Sequence, residues 1–319
     1  MSIELTGMDG SDPLGFFAAL GVLRALDDRA PDGRPRLSWR ESASGWRPSI
    51  HGADSVDMIA EAVMSDLPSW ADEPALAMAY TKAGEQVAPG GAGAIRDLKP
   101  PPELQRRAFE AAARDAAEGN SRSARTWAAF GTDVATDNAG KIKPTSLHFT
   151  AGQQQFLKMV RELREGLQQE DVLEALVGPW TNESRLPSLS WSGTGQRMYA
   201  LRATDPSTDK RGSTPGAEWL AFLGLSFLPT VPSTGGRGPL VLTTGVAGAW
   251  KSSTFTWPLW GPPCVASVVE SLVSLRGLCR AESLAGYERR GRGILQIYRA
   301  RILRSEQGGY GSFAPAEVV

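Results

Sequence analysis

Eight arginines fall in one short stretch: Arg276, Arg280, Arg289, Arg290, Arg292, Arg299, Arg301 and Arg304, against only Glu282 and Glu288, and no lysine. A guanidinium grips phosphate through two parallel hydrogen bonds and stacks on bases, whereas lysine acts as a point charge. The segment from Ile294 to Arg301 reads as a strand. In it Arg299 and Arg301 share a face with Leu295 and Ile297, while Gln296 and Tyr298 lie on the other. A basic strand that carries an aromatic residue can follow a nucleic-acid backbone. The same pattern also fits a solvated edge strand whose arginines pair with acidic groups elsewhere. A partner for that second reading exists, because residues 54–118 hold twelve acids and six bases, an excess of six acids. The chain as a whole is nearly neutral, at −1.

Acid–base chemistry has fewer candidates. The two histidines are His51 and His148, and neither has a second His or Cys at metal-ligand spacing. Both read as structural. Asp133 and Asp137 would share a face in a helix, but Gly131, Thr132 and Asn138 favour a turn, where Asp side chains bond to nearby backbone. An acid–base enzyme using Asp133, Asp137 and His148 would need a deep polar pocket joining them. Cys264 and Cys279 are too few for a disulfide framework or a four-ligand zinc site. Ser192-Gly193-Thr194-Gly195-Gln196-Arg197 lacks the Lys-Ser/Thr ending of a phosphate loop, Gly235-Gly236-Arg237-Gly238 fails the dinucleotide spacing, and no Gly-x-Ser-x-Gly elbow occurs. No catalytic residue, metal or cofactor is expected.

These residues must be held by a mixture of helices and strands. Asp12 before Pro13 starts an apolar helix, with Leu14, Phe17, Leu20, Leu23 and Leu26 at helical spacing, and Thr214-Pro215 starts another in the same way. Leu5–Met8 reads as a short strand or its end, and Arg36–Arg40 and Trp46–Ile50 as strands. Helices are expected over Ser55–Leu67, Pro102–Glu118, 152–177 and Pro262–Leu275. Strands are expected over Trp191–Ala203, Leu240–Val246, Thr254–Trp257 and Ile294–Leu303, and Val87–Ala94 reads as a loop. The fold class is α+β, with mostly antiparallel strands in two interpacked halves, 1–180 and 181–319. Phe17–Leu23 aligns with Leu220–Ser226 at a constant offset, placing Gly21 and Gly224 in corresponding positions inside apolar helices. A helical glycine costs about 1 kcal/mol relative to alanine, so two helices crossing at these glycines would account for them, as chance similarity also would.

At 319 residues, 41% hydrophobic and 22% charged, the chain has ample material for a core and is not of disordered composition. Ten tryptophans, as many as the phenylalanines, imply either a bulky core or stacking surfaces. The amino-terminal residues have neither a basic nor an apolar signal region, and no apolar run reaches membrane length. A cytoplasmic location and no membrane association are expected.

Asp12-Pro13-Leu14-Gly15-Phe16-Phe17-Ala18-Ala19-Leu20-Gly21-Val22-Leu23-Arg24 resembles the opening of CRISPR-associated proteins of the type I-G (formerly type I-U) effector modules. Similar segments follow in order. They are Leu147-His148-Phe149-Thr150-Ala151-Gly152-Gln153-Gln154-Gln155-Phe156-Leu157, Arg197-Met198-Tyr199-Ala200-Leu201, Thr214-Pro215-Gly216-Ala217-Glu218-Trp219-Leu220-Ala221-Phe222-Leu223-Gly224-Leu225 and Phe255-Thr256-Trp257-Pro258-Leu259-Trp260. The resemblance implies a non-catalytic subunit, large-subunit-like or accessory, of a crRNA-guided antiviral complex in which a separate helicase-nuclease cuts. Its expected partners are crRNA and/or target DNA and the neighbouring subunits. Carried onto this sequence, the resemblance adds Arg197 and Tyr199 on one strand face. It also adds Gln153 and Gln154 at a helix start, where amides can read adenine edges or simply face solvent. With Arg289, Arg290, Arg292, Arg299, Arg301 and Tyr298, these form the expected nucleic-acid contacts. A protein-only scaffold or adaptor, docking its basic strand on an acidic partner, is the alternative.

Overall fold

The computed structural model describes residues 2–29, 34–79, 93–149, 155–193, 212–235, 238–279, 284, 286–304 and 311–319. The strands are β1 (Ser2–Glu4), β2 (Arg36–Ser42), β3 (Gly45–His51), β4 (Thr230–Gly235), β5 (Gly238–Thr243), β6 (Val246–Ala247), β7 (Thr254–Trp260), β8 (Ile294–Arg304), β9 (Gly311–Phe313) and β10 (Glu317–Val318). The helices are α1 (Pro13–Arg29), α2 (Val56–Asp66), α3 (Pro74–Ala77), α4 (Pro102–Ala117), α5 (Arg122–Phe130), α6 (Phe156–Gly166), α7 (Gln169–Val177), α8 (Pro215–Gly224), α9 (Ala266–Val273) and α10 (Gly286–Gly291). This is an α+β fold whose sheets are antiparallel. None of its described helices is long and apolar enough to cross a membrane.

Helix α1 is buried at every position from Pro13 to Leu26, and α8 at every position from Pro215 to Gly224. Helices apolar on all sides must be packed on all sides. They pack most closely on each other. A Cβ on Gly21 would overlap the Leu220 carbonyl, and one on Gly224 would overlap the Phe17 carbonyl. The contact is reciprocal, since Phe17 corresponds to Leu220 and Gly21 to Gly224 in the internal alignment. Equivalent residues meet as they do across a two-fold interface.

The sheets flank this pair. One has the order β1-β3-β2, and another the order β10-β8-β7-β6 with β9 also on β8. Phe16 and Phe17 of α1 lie against Phe255 and Trp257 of β7. Buried indoles tie distant segments together: Trp257 Nε1 donates to Gly10 O at 2.8 Å, Trp260 Nε1 to Leu37 O at 2.7 Å and Trp191 Nε1 to Leu147 O at 3.0 Å. A bridge between Leu37 and Cys264 sets the two sheets side by side.

Several boundaries differ from expectation. The stretch 152–177 is not one helix: α6 ends at Gly166, Leu167 is extended, and Gln168 caps α7 in a reciprocal hydrogen-bonded box with Asp171. The first strand lies at Ser2–Glu4, and Leu5–Met8 is the turn after it. Trp191–Gly193 is not strand, and the rest of that expected strand, 194–203, lies outside the described residues, as does most of the Val87–Ala94 loop. The helix expected over Pro262–Leu275 is confined to Ala266–Val273.

Two desolvated carboxyls hold one segment beside the helix pair. Glu218 accepts from Ser188 Oγ at 2.6 Å and Leu189 N at 3.0 Å, and Asp12 accepts from Gly193 N at 2.7 Å. Burial pushes Glu218 up to about 7 and Asp12 up to about 6. A carboxyl raised on folding stabilises most fully below its unfolded pKa, and that contribution is lost as pH rises through the folded value. Glu218→Gln is therefore expected to gain on the wild type between pH 5.5 and pH 8 by at most about 3 kcal/mol, read from paired denaturant titrations. Wild type and variant losing stability in parallel over that range would contradict it. Gly21→Ala and Gly224→Ala are each expected to cost about 3 kcal/mol or more by the same measurement, because backbone cannot yield as a side chain does.

Candidate nucleic-acid interface

Strand β8 is covered on both edges, by β7 along one and by β9 and β10 along the other. It is therefore not the solvated edge strand of the alternative reading. Nor do Arg301 and Arg304 form an ion pair with the acidic segment among the described residues. The carboxylates of 54–118 with ion pairs among the described residues use Arg122, Arg107, Arg106 and His148.

The arginines divide by environment. Arg299 stands opposite Glu317 of β10, and its Nε donates to the Thr256 hydroxyl at 3.3 Å. Arg304 is spent inside: it donates to Ser146 O at 2.6 Å and lies 3.5 Å over the Trp250 ring, and burial pushes its guanidinium down to about 10. Helix α10 packs on β8. On it, Arg289 donates to Val319 O at 3.0 Å, tying the last residue to the helix. Arg292 lies 3.7 Å from the Glu288 carboxylate. Arg290 and Arg301 are exposed, with no hydrogen-bond or ion-pair partner among the described residues.

Tyr298 is half-buried and already stacked on Trp257, with ring centroids 5.9 Å apart. Burial raises its phenol, against the opposing effect of a hydrogen bond with Trp46. One face of its ring is already taken by Trp257. Gln153, Gln154, Arg197 and Tyr199 lie outside the described residues.

The residues of the acid–base reading are not brought together. Asp137 accepts from Ala139 N at 2.8 Å and Lys141 N at 3.0 Å, bonds that hold its carboxyl below the ordinary value. Asp133 is exposed. His148 is buried, with Nε2 2.7 Å from Asp97 Oδ1. Burial alone would raise Asp97, but the bonds from His148 and Phe156 N outweigh it and hold the carboxyl low.

A second basic feature lies on the other sheet. In register, Ser38 faces Ser49, Arg36 faces His51 and Arg40 faces Arg47, so one face of β2–β3 carries only polar side chains at these positions. This face floors a groove of about 620 Å³, walled by the turn at Gly261 and Pro263 and by Leu295 and Gln296 of β8. Ser38 Oγ and His51 Nε2 share a hydrogen bond of 3.0 Å. Arg36 and Arg40 are exposed and have no partner among the described residues. The alternation Arg36-Leu37-Ser38-Trp39-Arg40 was visible in the sequence, but the wall from β8 was not.

No protein-family model and no curated protein matches the chain.

Two kinds of polar residue can be separated by thermal or denaturant melts. Arg290→Ala and Arg301→Ala are expected to change stability by less than about 0.5 kcal/mol. Asp97→Ala, which strands the His148 and Phe156 donors, is expected to cost about 1 to 3 kcal/mol.

Proposed function

We propose that the chain is a non-catalytic subunit of a crRNA-guided type I CRISPR effector complex. In this reading it binds crRNA or target DNA through backbone contacts and touches neighbouring subunits. The observation that carries the proposal is the pair of exposed, unpartnered guanidiniums, Arg290 on α10 and Arg301 on β8, set on packed elements. Arg289 and Arg299 lie on the same two elements, Arg292 lies in the turn between them, and all three keep hydrogen-bonded places that orient the surface. The segments that carry the resemblance also support it: Asp12–Arg24 and Thr214–Leu225 supply the helix crossing, and Phe255–Trp260 the strand against it.

A protein-contact role has its own support. Val231 and Leu242 face each other across the β4–β5 hairpin with Leu240 beside them, and all three are about half exposed. Such a cluster suits a neighbouring subunit.

Binding of single-stranded and duplex oligonucleotides to the purified protein should weaken with salt. Arg290→Glu with Arg301→Glu should lower affinity roughly tenfold and reduce the log–log salt slope by about 1 to 2. Affinity indifferent to both salt and these substitutions would sink the nucleic-acid reading. Co-purification with partner subunits after nuclease treatment would then favour the scaffold.

A further inference from the structure

The groove over β2–β3 has chemistry that the arginine end does not need. Its floor combines Ser38, Ser49 and His51, and Arg40 stands on its lining. Ser38 and Ser49 are 7% and 8% exposed, which places their hydroxyls at the bottom of the groove. Ser38 is engaged by His51, whereas the Ser49 hydroxyl has no partner among the described residues.

We propose that this groove is a binding site for a ribonucleotide unit, with its phosphate on Arg40 and its ribose hydroxyls on the Ser38–His51–Ser49 floor. The proposal does not depend on the arginine end.

Each part of that ligand follows from a separate feature. Arg40 is a cation without an ion-pair partner among the described residues, so an incoming phosphate need not displace an internal carboxylate. The floor is neutral. Desolvation, with Arg36 nearby, pushes His51 below its ordinary value, and an imidazole whose Nε2 is engaged by Ser38 keeps its other ring nitrogen for a ligand. With two serines it forms a surface for hydroxyls rather than for a second phosphate. Pro263 and exposed Leu295 offer an apolar wall to a base. Gln296 Oε1 accepts from Ile297 N at 3.1 Å, which leaves its amide protons directed elsewhere, as base-edge recognition requires. The volume of about 620 Å³ is within the range of small-ligand sites.

The unit could arrive as a free mononucleotide or as part of an RNA strand, and Arg36 distinguishes the two. It sits four residues from Arg40 on the same face of β2, about 13 Å along the strand, beyond the reach of one phosphate but suited to one about two nucleotides further along a strand. A free nucleotide would use Arg40 alone. A strand would use both arginines.

The test uses the full chain, with calorimetry for UMP and dUMP and fluorescence anisotropy for labelled oligouridylate and oligodeoxythymidylate. Wild type should prefer the ribose form of at least one pair by about fivefold or more, consistent with one or two hydroxyl contacts. Arg40→Glu should weaken whichever ribose ligand binds by about tenfold or more. Arg36→Glu should weaken oligouridylate only, and an effect there with no UMP binding identifies the strand as the source. Ser38→Ala with Ser49→Ala should erase the ribose preference while the melt confirms a folded protein. Arg290→Glu with Arg301→Glu should leave UMP binding and the ribose preference intact, so failure of the arginine end is read separately. Three results overturn the site: neither UMP nor oligouridylate binds at low millimolar concentration, Arg40→Glu leaves binding unchanged, or ribose and deoxyribose ligands bind alike.

Discussion

The closeness of α1 and α8 sets the position of most other elements. Where Gly21 meets the Leu220 carbonyl and Gly224 meets that of Phe17, no side chain separates the two backbones, so each helix becomes part of the other's wall. The aromatic rows on the remaining faces then have fixed targets. Phe16 and Phe17 reach β7 on one side. Trp219 and Phe222 of α8 meet Trp70 beyond α2, and Phe222 also meets Phe130 of α5. Because β7 is placed by α1 and carries Trp260 to Leu37, the β2–β3 sheet is drawn alongside β8. The groove is therefore a by-product of helix packing well beneath it. Interiors packed at crystal-like density transmit such constraints over several layers.

Local chemistry was readable from the residues. The prolines that open α1 and α8, the alternation in β2 and β3, the span of α4 and the paired glycines follow from short-range rules and reappear in the structure. The Thr214 hydroxyl, however, donates to Asn182 Oδ1 instead of capping α8, and a register shift opposite Leu259 and Trp260 interrupts the alternation of β8. What was not readable depends on partners distant in sequence. Nothing near β8 announces that β9 and β10 will cover its second edge, so its arginines looked more solvated than they are. No usual signal marks the break after Gly166, because its capping box uses Gln168 and Asp171, residues in the opposite roles from the Ser/Thr and Glu/Gln pattern. Helix α5 likewise lacks an apolar signature at its start. Arg122, Ser123, Arg125 and Thr126 give its first turns a polar composition, although Ser123 is buried against Glu73 and Thr126 bonds back to Arg122 O.

The candidate site shows the same division more sharply. A count of arginines reveals a charged segment but not how each guanidinium is used. Burial directs Arg304 into the protein, the Val319 carbonyl occupies Arg289, and the Glu288 carboxylate lies near Arg292. Among the described residues of the arginine-rich segment, Arg276, Arg290 and Arg301 keep exposed guanidiniums available to an outside partner, as Arg36 and Arg40 do on another sheet. The near-zero total charge hides this, because the acidic segment's described ion pairs are made elsewhere. Surface potential is set by the charges left after internal pairing, not by the sum.

The tryptophans have an optical consequence. Eight of the ten are buried, several with the indole N–H bonded to a carbonyl from a distant segment, and Trp180 is half-buried. Trp250 is the exception, 56% exposed and lying under the guanidinium of Arg304. Indole emission moves to longer wavelength as the ring becomes solvated, so nine of these fluorophores report on the interior, while one reads the arginine-rich end. The chain thus carries its own local probe, positioned where a change in the charged surface would alter its colour before the core responds.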